Sequence, residues 1–192
     1  MILTTLIVFV IKYAASRIKP VYAHCDTLDG PVVTAAKKAF EHRDVNFALV
    51  WVRPTDEVSV RQAFDLAQAT ITDAATKAAA EYAFFEHLVK VHREGEGEVY
   101  EGLKPADPVE EEQLADQAIE SGSLDAVLSR ISSEHNKHVI THLFHDVLEK
   151  ANYKTDDLTA GRKYVAAYAH FVHAVAPAIK GEDLSEHHTH HH

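Results

Sequence analysis

Residues 124–152 read LDAVLSRISSEHNKHVITHLFHDVLEKAN, and their spacing decides the fold class. Leu124, Val127, Leu128 and Ile131 recur at helical intervals, and His135, His138, His142 and His145 follow in steps of three and four. At about 100° per residue, those four imidazoles share one face within an arc of about 80°. Val139, Ile140, Leu143, Phe144, Val147 and Leu148 make an apolar face roughly opposite. The pattern predicts one long helix from Leu124 to about Asn152, in which a core stripe turns into histidine halfway along.

The chain has 28 Ala, and its Gly and Pro stand at breaks between flanking helices. Asp29-Gly30-Pro31 opens a helix that reaches about Arg43. Pro54-Thr55-Asp56-Glu57 opens one to about Ala69, and Thr72-Asp73 opens one to about Arg93. A short helix is expected over Val109–Glu120, ended by Ser121-Gly122-Ser123, and a final one over Leu158–Ile179. Val45–Val52 is apolar and partly β-branched, so periodicity leaves a buried helix and a short strand both open. The expectation is an all-α protein, a helical bundle of about five or six helices with short loops between antiparallel neighbours, after an N-terminal signal segment.

Composition narrows the function classes. The 192-residue chain is 46% hydrophobic and has 7 Gly and 6 Pro, which excludes collagen-like and disordered readings for most of it. The net charge of -10 disfavours a nucleic-acid partner, because such a surface does not neutralise phosphates. A single Cys excludes a disulfide framework within the chain. Histidine is over-represented, with 15 copies.

Ile2–Ile11 is an uncharged apolar run, too short to span a bilayer as a helix and of the length of a signal-peptide core. No basic residue precedes it, and Lys12, Arg17 and Lys19 follow. Val21-Tyr22-Ala23 suits signal peptidase, so the expected organisation is a signal peptide at 1–23, a helical domain at 24–180 and a His-rich tail at 181–192. That places the protein in the periplasm or outside the cell, with no stable membrane insertion after cleavage.

Cleavage after Ala23 gives His24-Cys25-Asp26-Thr27-Leu28-Asp29-Gly30 a chemistry of its own. His24 then offers an imidazole and a free α-amine, which loses its proton near neutral pH. Cys25 adds a thiolate, selecting nickel, copper or zinc over magnesium or calcium. Asp26 and Asp29 add oxygen donors or hydrogen-bond acceptors. Imidazoles from the helices complete a shell in this reading, with His142 and His173 as the leading candidates and His138 and His92 behind them. The bland alternative is that the helix histidines are simply a solvated face.

Other chemistries lack their motifs. No Glu-x-x-His step of a di-iron site, no His-Glu-x-x-His, no Cys-x-x-Cys-His, no glycine-rich nucleotide loop and no Gly-x-Ser-x-Gly occurs. Of the tail, Glu186-His187-His188-Thr189-His190-His191-His192, two readings stand: a metal-capture arm and a cloning remnant or solvated end.

Two resemblances bear on these residues. The start His24-Cys25-Asp26-…-Gly30 resembles the metal hook of nickel superoxide dismutase, whose mature chains begin His-Cys-Asp-x-x-Cys-Gly. There the amine, the imidazole, two thiolates and a backbone amide hold nickel. Asp29 stands where that family has its second cysteine, and Leu28 where it has a proline. The resemblance implies metal binding and puts superoxide dismutation in doubt. A longer likeness is to a family of exported bacterial proteins of unknown function. It is carried by His24–Val33, Val45–Val52, Val91–Gly97, Gly102–Pro105 and Ala160–Val165, and it implies one exported domain with no assigned activity.

Four functions follow as expectations. They are an exported transition-metal-binding protein (buffer, chaperone or sensor), a nickel superoxide dismutase-like redox enzyme, a haem protein with His142 and His173 as axial ligands, and a structural or partner-binding bundle. Oligomeric state is not legible in the sequence.

Overall fold

A computed structural model describes residues 21–106 and 109–185. The apolar run Ile2–Ile11 and the tail from Glu186 onward lie outside the described residues. Eight α-helices are present, with no strand among the described residues, so the protein is an all-α bundle. They are α1 (Pro31–His42), α2 (Asn46–Leu49), α3 (Glu57–Thr70), α4 (Ala74–Gly95), α5 (Glu110–Ser121), α6 (Asp125–Leu128), α7 (Glu134–Lys150) and α8 (Leu158–Lys180). A 3₁₀ turn at Val21–Asp26 precedes them, and another at Pro54–Asp56 leads into α3. No helix among the described residues is long and apolar enough to cross a membrane.

The local signals account for most boundaries. Pro31 occupies the first turn of α1, where its missing N–H costs nothing. Asp73 and Thr76 make a reciprocal capping box at the start of α4, and the Asp157 carboxylate accepts from Ala160 N at the start of α8. Residues 45–52 resolve as the four-residue helix α2 followed by a turn.

The long helix expected over 124–152 is two helices. Residues 129–133 break it, because Ser133 caps a new start by accepting from Asn136 N at 3.2 Å. Ser129 bonds back to the Ala126 carbonyl at the end of α6. The early apolar stripe therefore does not run on into the histidines. Asn136, Ile140, Phe144 and Val147 form the buried face of α7. His135, His138, His142 and His145 are exposed, diametrically opposite that face.

Two apolar clusters share the work of burial. Helices α1 to α4 enclose the first, around Val33, Leu49, Phe64, Phe84 and Leu88. Helices α5 to α8 enclose the second, around Val127, Ile140, Phe144 and Phe171, with Leu184 closing one end. Trp51, the only tryptophan, packs against both. Arg162 ties them with hydrogen bonds. Its guanidinium donates to the carbonyls of Val52 (2.8 Å) and Leu49 (3.3 Å) and to Glu57 (2.6 Å). It thereby satisfies the Val52 carbonyl just beyond α2 and shares the Leu49 carbonyl with Val52 N.

Beside Arg162, the lack of a side chain at Gly161 lets α8 approach α2. A Cβ there would sit 2.3 Å from Val50 Cγ1 and 2.8 Å from Tyr153 Cε2. Gly161→Ala forces the two clusters apart, and the expected loss is about 1–3 kcal/mol in urea unfolding. Unchanged stability would show that the seam accommodates the methyl group.

Candidate functional site

Asp26 is the anchor of the site. It is 2% exposed, and burying a charge there requires partners. Arg93 Nε lies 3.3 Å from one carboxylate oxygen, and Lys104 Nζ donates to the other at 3.1 Å. The backbone follows: Lys104 N donates to the Asp26 carbonyl (2.8 Å) and Leu28 N to the Lys104 carbonyl (3.0 Å). The end of α4 and the loop at 102–104 thus grip the N-terminal segment. Thr27 binds the His24 carbonyl through its hydroxyl at 3.0 Å. Gly30 must remain small, since a Cβ would fall 2.0 Å from that carbonyl oxygen.

This grip delivers His24 and Cys25 to the seam between the clusters. His24 Nε2 lies 3.5 Å from Asp116 Oδ2 on α5. Tyr168 on α8 donates its hydroxyl to Asp116 Oδ1 at 2.7 Å. Burial pushes the His24 imidazole below its ordinary value, with Asp116 and Asp29 pulling the other way. Burial likewise pushes Asp116 up, against the Tyr168 hydrogen bond and His24. Both effects favour the neutral forms of the pair.

One turn before Asp116, Glu112 is 4% exposed. Burial, then Asp116, Glu111 and Asp29, push its carboxyl up to about 7. The Cys25 thiol is raised as well, first by burial and then by Glu96, Asp26 and Glu112, with Arg93 opposing. A thiol and several carboxylates therefore crowd one place, with Lys104 held by Asp26 and Arg93 shared among Asp26, Glu96 and Glu98.

His92 completes the surroundings on the α4 side. It is 7% exposed, and its Nδ1–H donates to the Trp51 carbonyl at 2.8 Å. That bond fixes the tautomer and leaves Nε2 buried without a hydrogen bond, 3.4 Å from Glu96 Oε1. Trp51 lies edge-on to both His92 and Tyr168, at ring separations of 5.9 and 5.7 Å.

The sequence-derived candidates divide accordingly. His24, Cys25, Asp26 and His92 gather around the seam. Asp26 is engaged by Arg93 and Lys104, which makes it a structural anchor. Asp29 is exposed before α1, near enough to His24 to act on its charge. His138 and His142 stand on the solvent face of α7, and His173 is half-buried farther along α8. Among the described residues, no group of three or more His, Cys, Asp or Glu side chains is close enough as it stands to hold a metal ion. Sequence reasoning missed Glu112, Asp116, Glu96 and Tyr168. The available signal was that Glu112 shares a helical stripe with Ala115 and Ala118, a buried position for a charged residue.

A family profile matches residues 29–174. The chain belongs to DUF6448, a family of unknown function. No curated protein and no solved structure matches it. The match takes in Trp51, His92, Glu112, Asp116 and Tyr168 and begins at Asp29, so His24 and Cys25 precede it.

Glu112 gives this family member a pH-dependent stability of definite sign. The unfolded carboxyl releases its proton near 4.5, the folded one near 7. The folded chain therefore holds the extra proton between those values, and the contribution present below pH 4.5 is lost as pH rises through 7. Glu112→Gln stays neutral throughout. It is expected to match the parent protein near pH 4 and to exceed it by roughly 2–3 kcal/mol at pH 8 in denaturant titrations. A constant difference across that range would remove Glu112 from the buried, charge-crowded position described.

Proposed function

We propose that this DUF6448 protein is an exported transition-metal-binding protein, acting in the periplasm or outside the cell as a buffer, chaperone or sensor. Its ligands are His24 and Cys25, exposed by cleavage after Ala23, with Glu112 and Asp116 completing the set. The observation that carries the reading is the His24 imidazole 3.5 Å from Asp116 at the seam, with Cys25 next to it in the chain and Glu112 one turn from Asp116, where burial and neighbouring carboxylates oppose ionisation of the thiol and the acids. A cation relieves that imbalance, and its entry expels protons from Cys25 and Glu112.

The donor set fits nickel, copper or zinc, because thiolate and imidazole are borderline-to-soft ligands. In the uncleaved chain, the His24 nitrogen is an amide, and no three side chains yet converge. Cleavage supplies the missing donor, the α-amine, so processing and metal loading are coupled. His92 sits beside this set with its tautomer held by a backbone carbonyl, as ligating imidazoles commonly are.

Intact-mass measurement of the protein from an export-competent host tests the reading, with the five tail histidines replaced by Gln to silence that source of metal. The expected species begins at His24 and carries one tightly held ion, which Cys25→Ser and His24→Ala both lose. A chain beginning at Met1, or one that retains its ion in Cys25→Ser, contradicts it. Trp51 provides a second readout, because its ring touches His92 and Tyr168. One equivalent of Cu²⁺ is expected to quench its emission in the cleaved protein and to leave it unchanged in Cys25→Ser.

A further inference from the structure

The two clusters are packed with rings that resist one-electron oxidation. Phe40, Phe64 and Phe84 touch in the first, and Phe144 and Phe171 in the second. The rings that yield an electron readily, the lone Trp and three of the seven Tyr, are strung together instead. Trp51 lies 5.7 Å from Tyr168, Tyr168 lies 6.4 Å from Tyr164, and Tyr164 lies 5.6 Å from Tyr153, measured between ring centres. These are contact separations, so no aliphatic layer intervenes at any step. Tyr164 and Tyr168 stand one turn apart on α8, and Tyr153 is half-buried in the connection between α7 and α8. The series thus leads from the seam to the rim of the fold.

Packing alone does not account for the hydroxyls. Tyr168 is 8% exposed, and a phenylalanine there would fill the same space without burying a polar group. Its hydroxyl is served by a dedicated acceptor, Asp116 at 2.7 Å, which has the His24 imidazole 3.5 Å on its other side. Burial raises the phenols of Tyr153, Tyr164 and Tyr168 above their ordinary value, so all three are neutral and each must release a proton when it gives up an electron. Asp116 is placed to take that proton at the inner end. At the outer end, water takes it.

We propose that Trp51, Tyr168, Tyr164 and Tyr153 form a relay that carries single oxidising equivalents from the seam to the protein surface. An oxygen-derived radical that reaches Trp51 removes one electron, and the indole N–H proton goes to water. Tyr168 then reduces the indolyl radical, which regains a proton, while the Tyr168 hydroxyl proton moves to Asp116. Tyr164 reduces the Tyr168 radical and Tyr153 reduces the Tyr164 radical, each acceptor taking back one proton as each donor releases one. A soluble thiol or ascorbate finally returns one electron and one proton to Tyr153. The radical is thereby drawn away from Cys25, which lies close enough to Tyr168 to act on its charge. No bound ion enters any of these steps, so the relay goes beyond the metal-binding reading and stands apart from it.

The test uses the full chain with excess chelator, so that failure here and failure of metal binding are separate results. Pulse radiolysis in azide solution generates the azidyl radical, which oxidises indole faster than phenol. Trp51 is the one indole, half-buried and within reach of so small an oxidant. The indolyl absorption is expected to decay with first-order kinetics, independent of protein concentration, while tyrosyl absorption grows at the same rate. In Tyr168→Phe, which keeps the ring, that growth is expected to be lost and the indolyl radical to persist. Tyr164→Phe leaves the Trp51–Tyr168 pair intact and should strand the radical on the buried Tyr168, so added ascorbate removes the tyrosyl signal more slowly than in the parent. Indolyl decay without tyrosyl growth in the parent would overturn the relay, as would growth at the parent rate in Tyr168→Phe. Equal ascorbate rates in Tyr164→Phe and the parent would overturn its outward leg.

Discussion

A buried carboxylate that must be neutralised holds the N-terminal segment in place. Asp26 is almost fully enclosed, and only the flanking Arg93 and Lys104 make that position tolerable. Those two cations come from the end of α4 and from the loop near residue 104, far apart in sequence from Asp26. Their attraction draws three pieces of chain together, and the backbone bonds between residues 26–28 and Lys104 lock the register. Everything about the location of His24 and Cys25 follows from it. An N-terminal stretch that would otherwise trail from α1 is instead built into the body.

What it is built into is a boundary. The chain makes two apolar clusters, and a boundary between clusters is where polar groups can be buried without disrupting either interior. Trp51 spans the junction, and Arg162 spends its donors on the carbonyls of Leu49 and Val52 and on Glu57. The other polar residues at the seam are the acids Glu96, Glu112 and Asp116, the imidazoles of His24 and His92, the Tyr168 hydroxyl and the Cys25 thiol. Repulsion and burial there oppose ionisation, which is the electrostatic condition under which a cation is favoured.

The helical class was legible because the chain is rich in alanine, most of its Gly and Pro stand at breaks, and Pro31, Asp73 and Asp157 mark helix starts. The split of the 124–152 segment was less visible, since Ser132 and Ser133 sit within an otherwise helical pattern. A side-chain cap competes with helix continuation, and the burial of both Ile131 and Ile140 settles the competition. Spacing places the four histidines on one arc, but spacing alone does not say which face meets the core. At the seam, His24, Cys25 and His92 were legible as metal-ligating types. Glu112 and Asp116 were not, because an acidic run at a helix start reads as a solvated surface, and their role appears only when α5 packs beside the N-terminal segment. The anchoring role of Asp26 was hidden for the same reason: Arg93 and Lys104 are its partners only through tertiary structure.

The measurement closest to the central claim is X-ray absorption at the metal edge of the cleaved protein, with the tail histidines replaced and one equivalent of Zn²⁺ bound. A seam site built on Cys25 predicts a sulfur scatterer at about 2.3 Å together with nitrogen or oxygen at about 2.0–2.2 Å. A shell of nitrogen and oxygen alone would contradict it and leave Cys25 as a structural thiol.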